Sequence, residues 1–191
     1  MILEGIITTL NADGSVNISP MGPQVEEPIH RLVLKPYRTS TTYENLKRTG
    51  QAIFHVTDDV EMIARAAIGV LDPLPPSESA RAVAGKILNG ACRWYALQVR
   101  SLDDSQERTE IFCDVVDQGR LRDFFGFNRG KHAVIEAAIL ATRVEFLPAD
   151  EILSQFETLH GLVQKTGGPA EHRAFQFLSD FVQARCTAKQ A

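Results

Sequence analysis

Cysteine is scarce in this chain. The three present, Cys92, Cys113 and Cys186, are odd in number and far apart. They match neither a disulfide framework nor the paired spacing of a zinc site, and read as reduced thiols of a cytoplasmic protein. The histidines at 30, 55, 132, 160 and 172 form no HExxH or similar cluster, so no metal is expected. A long hydrophobic run is missing too. The longest candidate, residues 133–141, is broken by Glu136 and falls short of the ~18 residues that a membrane span needs. The chain opens Met1-Ile2-Leu3-Glu4, without the basic and apolar stretches of an export signal, so neither membrane nor export is expected. Basic charge is not in excess: 20 Lys and Arg face 24 Asp and Glu, a net charge of -4. A general nucleic-acid binder relies on a basic surface, so nucleic acid is not an expected partner. GxGxxG, the P-loop and GxSxG are all absent.

What is there is the pattern of a folded domain. With 191 residues, 44% of them hydrophobic, the chain can bury roughly 70% of its unfolded surface without a disulfide or metal. Residues 2–10 read as a strand rich in Ile, Thr and Leu. Asp13-Gly14 marks a hairpin turn, and residues 16–19 return as a second strand that Pro20-Met21-Gly22-Pro23 is expected to end. Residues 31–35 and 52–56 read as short strands. Between them, residues 41–50 read as a helix capped by Thr41 or Thr42 and closed by Gly50. Asp58 or Asp59 caps a second helix reaching about residue 68. Residues 94–102 and 109–116 alternate as a half-buried antiparallel pair. A mostly apolar helix over 131–142 and a last strand over 143–147 follow. Residues 150–166 and 169–186 read as two helices joined by Gly167-Gly168. The expected fold is α+β: a small antiparallel β-barrel with inserted helices (1–147) and a C-terminal αα-hairpin (148–191).

Three segments carry candidate chemistry. In the first, Tyr37, Thr39, Ser40, Thr41 and Thr42 lead from a strand into a helix, flanked by Lys35 and Arg38. Hydroxyls, a guanidinium and the free N–H groups of a helix start together suit a phosphate. A plain Ser/Thr-rich turn with a single cap has the same composition. In the second, Asn17 and Ser19 share one strand face, and Pro20, Met21 and Gly22 form a strand end that a flat ligand can approach. A strand simply ending in a turn reads the same way. In the third, Asn128 caps the next helix, and Arg129, Lys131 and His132 crowd its first turn, against the helix dipole. That placement suits an anion or an acidic substrate. Solvated charges offset by Glu136 are the alternative.

The first two segments together resemble the flavin-reductase-like FMN-binding split barrels. The residues are Asn17, Pro20 and Gly22, then Arg38, Thr39, Ser40, Thr41, Thr42, Asn45, Leu46 and Gly50, followed by the strand over 52–57. The stretches LEGIITTLNADGSVNISPMGP, HVTDD and FNRGKHAVIEAAILATR resemble an archaeal and bacterial branch known mainly as a domain of unknown function. The resemblance implies FMN as cofactor, with its phosphate on Arg38, Thr39, Ser40, Thr41 and Thr42 and its ring against Asn17, Ser19, Pro20, Met21 and Gly22. It implies a homodimer, a small-molecule substrate with NAD(P)H as a candidate donor, and a link to pterins in one-carbon metabolism. His55 stands where relatives often carry Asn, and reads as a core histidine. Asn128, Arg129 and Lys131 stand as an additional anion or substrate contact. No residue presents itself as a catalytic acid or base, which suits an oxidoreductase whose cofactor carries the hydride. The alternative is an FMN-binding carrier, sensor or assembly module without turnover.

Overall fold

The Asp13-Gly14 turn folds β1 (Gly5–Leu10) and β2 (Val16–Met21) into a hairpin, with Leu10 opposite Val16 and Gly5 opposite Met21. The protein is described here by a computed structural model covering residues 1–190. Two units emerge: Met1–Thr57 with Leu74–Phe124, and Asp58–Pro73 with the described residues from Phe125 on.

The first unit is a curled antiparallel sheet. Its further strands are β3 (Gln24–Val25), β4 (Arg31–Leu34), β5 (Gln51–Val56), β8 (Arg93–Asp103) and β9 (Glu110–Arg120), in the order β2-β1-β5-β8-β9-β4-β3. A small hairpin, β6 (Ser77–Ser79) and β7 (Lys86–Leu88), forms a separate two-stranded sheet that packs on it through Ile87, Ile53 and Ala96. Alternate residues of the sheet turn inward: Ile7, Leu32, Leu34, Phe54, Leu97 and Ile111 are buried together with Tyr43 and Leu46 of α1 (Thr41–Thr49). Full burial of such a side chain contributes roughly 1.5–3 kcal/mol. This core is what holds α1 on the sheet. Gly50 ends α1 in the left-handed region, φ 67°, as its position after the last turn requires.

Two local expectations fail here. β2 runs two residues beyond the expected 16–19, through Met21, with Pro20 inside it opposite Ile6. The strand lies at the sheet edge, where a missing N–H is tolerated. The cap of α1 is Ser40, not Thr41 or Thr42: its Oγ accepts from Tyr43 N at 3.2 Å and donates to Tyr37 O at 2.8 Å.

The second unit contains α2 (Val60–Ala67), α3 (Arg129–Thr142), α4 (Ala149–Thr166) and α5 (Pro169–Gln190). Ala64, Val134, Ala137, Ile152, Val163, Leu178 and Val182 share one core, so this unit holds residues on both sides of position 147. The strand expected over 143–147 is instead a series of turns. Arg143 caps α3 by donating its N–H to Leu140 O and Ala141 O, and Val144 joins the helical core. At the start of α3, a Cβ on Gly130 would lie 2.8 Å from Gly167 Cα. The small residue there lets the α3 start pack against the α4–α5 connection.

Candidate functional site

The first two sequence segments meet because α1 starts beside the β1–β2 hairpin. Asn17 Nδ2 donates to Thr42 Oγ1 at 3.1 Å, to Thr9 Oγ1 at 3.1 Å and toward Ser19 Oγ at 3.4 Å. Asn45 Nδ2 donates to Thr9 Oγ1 at 3.0 Å and to Asn11 Oδ1 at 2.8 Å. Arg48 closes the network, donating to Asn45 Oδ1 at 2.9 Å and to Leu10 O. Thr9, Thr42 and Asn45 are buried, while Asn17 and Ser19 are half-exposed. Buried polar groups bonded on several sides fix geometry, so the start of α1 is tied to strand β2.

The turn before α1 then presents its donors outward. Arg38, Thr39 and Thr41 are exposed, Ser40 is half-buried and engaged as the cap, and Thr42 is buried against Asn17. The N–H groups of Thr41 and Thr42 belong to the first helical turn, where no intrahelical acceptor exists. Among the described residues no hydrogen bond occupies the Arg38 guanidinium. One positive side chain, two hydroxyls and two free N–H groups on one turn make a donor set that fits a phosphate dianion.

Along β2, Met21 packs against the barrel core. The space of a Cβ at Gly22 is already filled by Ile2 Cγ2 at 2.9 Å and Glu4 Oε1 at 3.1 Å, so this glycine serves the packing of the N-terminal segment. His55 is a satisfied core histidine. Its Nε2 accepts from Leu88 N at 3.1 Å, which leaves the Nδ1 proton for Ile6 O at 3.3 Å. Burial holds its pKa down to about 4, so the ring is neutral.

The third segment lies in the helical unit. Asn128 Oδ1 accepts from Lys131 N at 3.0 Å, and its Nδ2 donates to Thr166 O at 2.8 Å. Lys131 Nζ is engaged by Glu171 Oε1 at 2.8 Å and Asp58 O at 2.7 Å. Burial pushes the Glu171 carboxyl up, but the bonds from Lys131 and Gly168 N outweigh it and leave the group below its ordinary value. The opposition of Lys131 to the helix dipole is therefore offset by a carboxylate rather than by a ligand. Arg129 is exposed.

Sequence reasoning missed Thr9, Asn11 and Arg48. The hairpin register set by the Asp-Gly turn puts Thr9 opposite Asn17, which is the signal that could have found it. It also missed Tyr43, Lys47 and Asp104, considered below. No group of three or more His, Cys, Asp or Glu able to hold a metal occurs among the described residues. No helix among them is long and apolar enough to cross a membrane.

Comparison with known proteins adds a family and a fold. Residues 3–122 match the model of the "Protein of unknown function (DUF447) N-terminal domain", and residues 128–180 match that of the "Protein of unknown function (DUF447)". No curated protein matches the chain. Among solved structures, an FMN-bound DUF447 protein from Methanosarcina mazei superposes with TM-score 0.81 at 22% identity, covering 94% of each chain. The flavin reductase of the styrene monooxygenase from Pseudomonas putida gives TM-score 0.52 at 15% identity, over 63% of this chain and 82% of its own. An FMN-binding protein from Thermus thermophilus, with bound 1-cyclohex-2-enone, gives 0.53 at 12% identity, over 62% of this chain and 70% of its own. These likenesses establish the flavin-reductase-like split-barrel fold.

Proposed function

We propose, for a chain that belongs to the DUF447 family and has the flavin-reductase-like split-barrel fold, that it is an FMN-binding flavoprotein acting as an oxidoreductase on a small molecule. The observation that carries the reading is the Asn17–Thr42 bond. It joins the polar edge strand to a turn whose Arg38, Thr39 and Thr41 face outward with the first N–H groups of α1. On this reading Arg38, Thr39, Thr41 and those N–H groups hold the phosphate. Ser40 shapes the turn as its cap, and Thr42 anchors Asn17. Asn17, Ser19 and the β2 backbone at Pro20 and Met21 orient the ring, with Gly22 keeping the strand end seated on the N-terminal segment. When bound, FMN supplies hydride chemistry, and the chain supplies binding and orientation. Flavin reductases among the fold relatives support a nicotinamide as electron donor. A pterin substrate rests on the family resemblance alone. Of the third segment, Arg129 remains the candidate contact for an acidic substrate.

The decisive experiment is the visible spectrum of the purified chain and direct titration with FMN and riboflavin. FMN is expected to bind, and riboflavin, lacking the phosphate, to bind far more weakly. Thr39→Ala with Thr41→Ala spares the Ser40 cap and removes two bonds to a charged group, worth roughly 1.5–3 kcal/mol each. The FMN dissociation constant should rise at least about a hundredfold while riboflavin binding stays the same. Equal FMN affinity in the folded double variant refutes the phosphate placement. Steady-state oxidation of NAD(P)H separates an enzyme from a carrier without turnover.

A homodimer belongs to the same proposal. Phe125 and Phe127 are 83% and 94% exposed, close to one another in sequence. Two large apolar side chains left open so near one another in the chain suit a surface that a second copy covers.

A further inference from the structure

The loop between β8 and β9 is bonded along its length to the turn that precedes α1. Arg38 N donates to Glu107 O at 3.0 Å. Thr109 donates to Pro36 O twice, from N at 3.0 Å and from Oγ1 at 2.9 Å. Arg108 Nε donates to Lys35 O at 3.1 Å, and Lys35 Nζ to Glu110 Oε1 at 2.6 Å. At the loop's other end stands Asp104, held from α1. Tyr43 OH donates to its Oδ2 at 2.7 Å, and Lys47 Nζ donates to the same oxygen at 2.8 Å and to the Tyr43 hydroxyl at 3.0 Å.

This three-residue cluster has features that a plain surface ion pair lacks. The Tyr43 ring is buried in the barrel core, so the hydroxyl that holds Asp104 is itself fixed. Tyr43 also donates its backbone N–H to the Ser40 cap, so one residue grips both the cap and the loop. The Asp104 carboxyl is held down at about 2, first by the bonds from Lys47 and Tyr43 and then by the attraction of Lys47 and Arg38. It is a permanent negative charge whose field reaches the Arg38 side chain. That side chain is exposed, and an exposed arginine has much rotamer freedom to lose when it meets a ligand.

We propose that Asp104, clamped by Tyr43 and Lys47, is a positioning residue for the cofactor, fixing the turn of residues 35–40 and orienting the Arg38 guanidinium toward the FMN phosphate. The inference rests on the FMN reading above. It assigns to the β8–β9 loop a role in binding without contact to the ligand.

The sign of the effect distinguishes positioning from simple charge. Asp104 is an anion near the site of a dianion, so electrostatics alone makes its removal strengthen FMN binding. Positioning makes its removal weaken it. The test is titration of the full chain with FMN and with riboflavin, following flavin fluorescence, for the unmodified protein, Asp104→Ala and Tyr43→Phe. Asp104→Ala should raise the FMN dissociation constant about tenfold while riboflavin, which has no phosphate to meet Arg38, changes less than about twofold. Tyr43→Phe keeps the buried ring and loses only the hydroxyl. It should move FMN in the same direction, by about threefold or more, and it keeps the inference testable if Asp104→Ala does not fold. Equal or tighter FMN binding in the folded variants overturns the inference, as does an equal loss for both flavins, which would make the cluster merely structural. An unmodified chain that binds neither flavin overturns the cofactor reading itself, and this inference with it.

Discussion

His55 is the residue whose chemistry is most tightly set by its surroundings. Both ring nitrogens are bonded where the β6–β7 hairpin covers the sheet, and burial lowers the folded pKa to about 4 against an ordinary 6.5. Above pH 6.5 the ring is neutral in both folded and unfolded chains and adds no pH dependence. Below it the unfolded chain takes up the proton first, so stability falls from pH 6.5 down to about pH 4 and levels beyond. The loss across that window approaches about 3 kcal/mol. Urea unfolding of the unmodified chain and of His55→Asn across this range should show the difference in slope. A residue-scale contrast holds at α3. Lys131→Met leaves Glu171 without its partner inside the helical unit and should cost about 3 kcal/mol. Arg129→Gln, at an exposed position, should stay within about 0.5 kcal/mol. Thermal melts of both variants check this pair.

At the scale of elements, α1 decides the site. Its cap, its buried face and its polar link to the hairpin each serve a different partner. Ser40→Ala removes the acceptor for Tyr43 N and should cost about 1 kcal/mol, whereas Thr41→Ala should be close to neutral in stability. Under the FMN reading, Thr41→Ala still weakens the cofactor. Denaturant midpoints and FMN titrations on the two single variants should therefore part in opposite ways. The helix over 41–50 was legible because capping side chains and a terminal glycine act within a few residues. Which hydroxyl caps it was not, since Ser40, Thr41 and Thr42 are chemically equivalent in sequence. The backbone path of the preceding turn chose between them.

At the scale of the whole molecule, the open question is association. Each fully buried aromatic side chain contributes 150–250 Å² to an interface, and a stable one covers roughly 800 Å² per partner. Phe125 and Phe127 supply a substantial share of that. Light scattering is expected to give the mass of a dimer for the unmodified chain. Phe125→Ser with Phe127→Ser should shift it toward the monomer while leaving the circular dichroism unchanged. A monomeric unmodified chain that still binds FMN refutes the dimer.

The sequence by itself determined the elements with local signals. These are the hairpin turned at Asp13-Gly14, α1 between its cap region and Gly50, α2 behind Asp58 or Asp59, α3 behind Asn128, and the α4–α5 pair broken at Gly167-Gly168. Each depends on turn chemistry, capping or hydrophobic period, which act over two to four residues. The residues resembling the split-barrel family lay in those same elements, so family and fold were readable together. The tertiary structure alone decided the rest. Pro20 stays within β2 because the sheet order makes that strand an edge. Residues 143–147 turn rather than extend because Val144 finds its burial in a helical core. Asn17 reaches Thr42, and Asp104 reaches Tyr43, across 25 and 61 residues of chain. Such pairs leave no periodic trace in the sequence, because their meeting depends on which strands are neighbours and on where α1 comes to rest on the sheet.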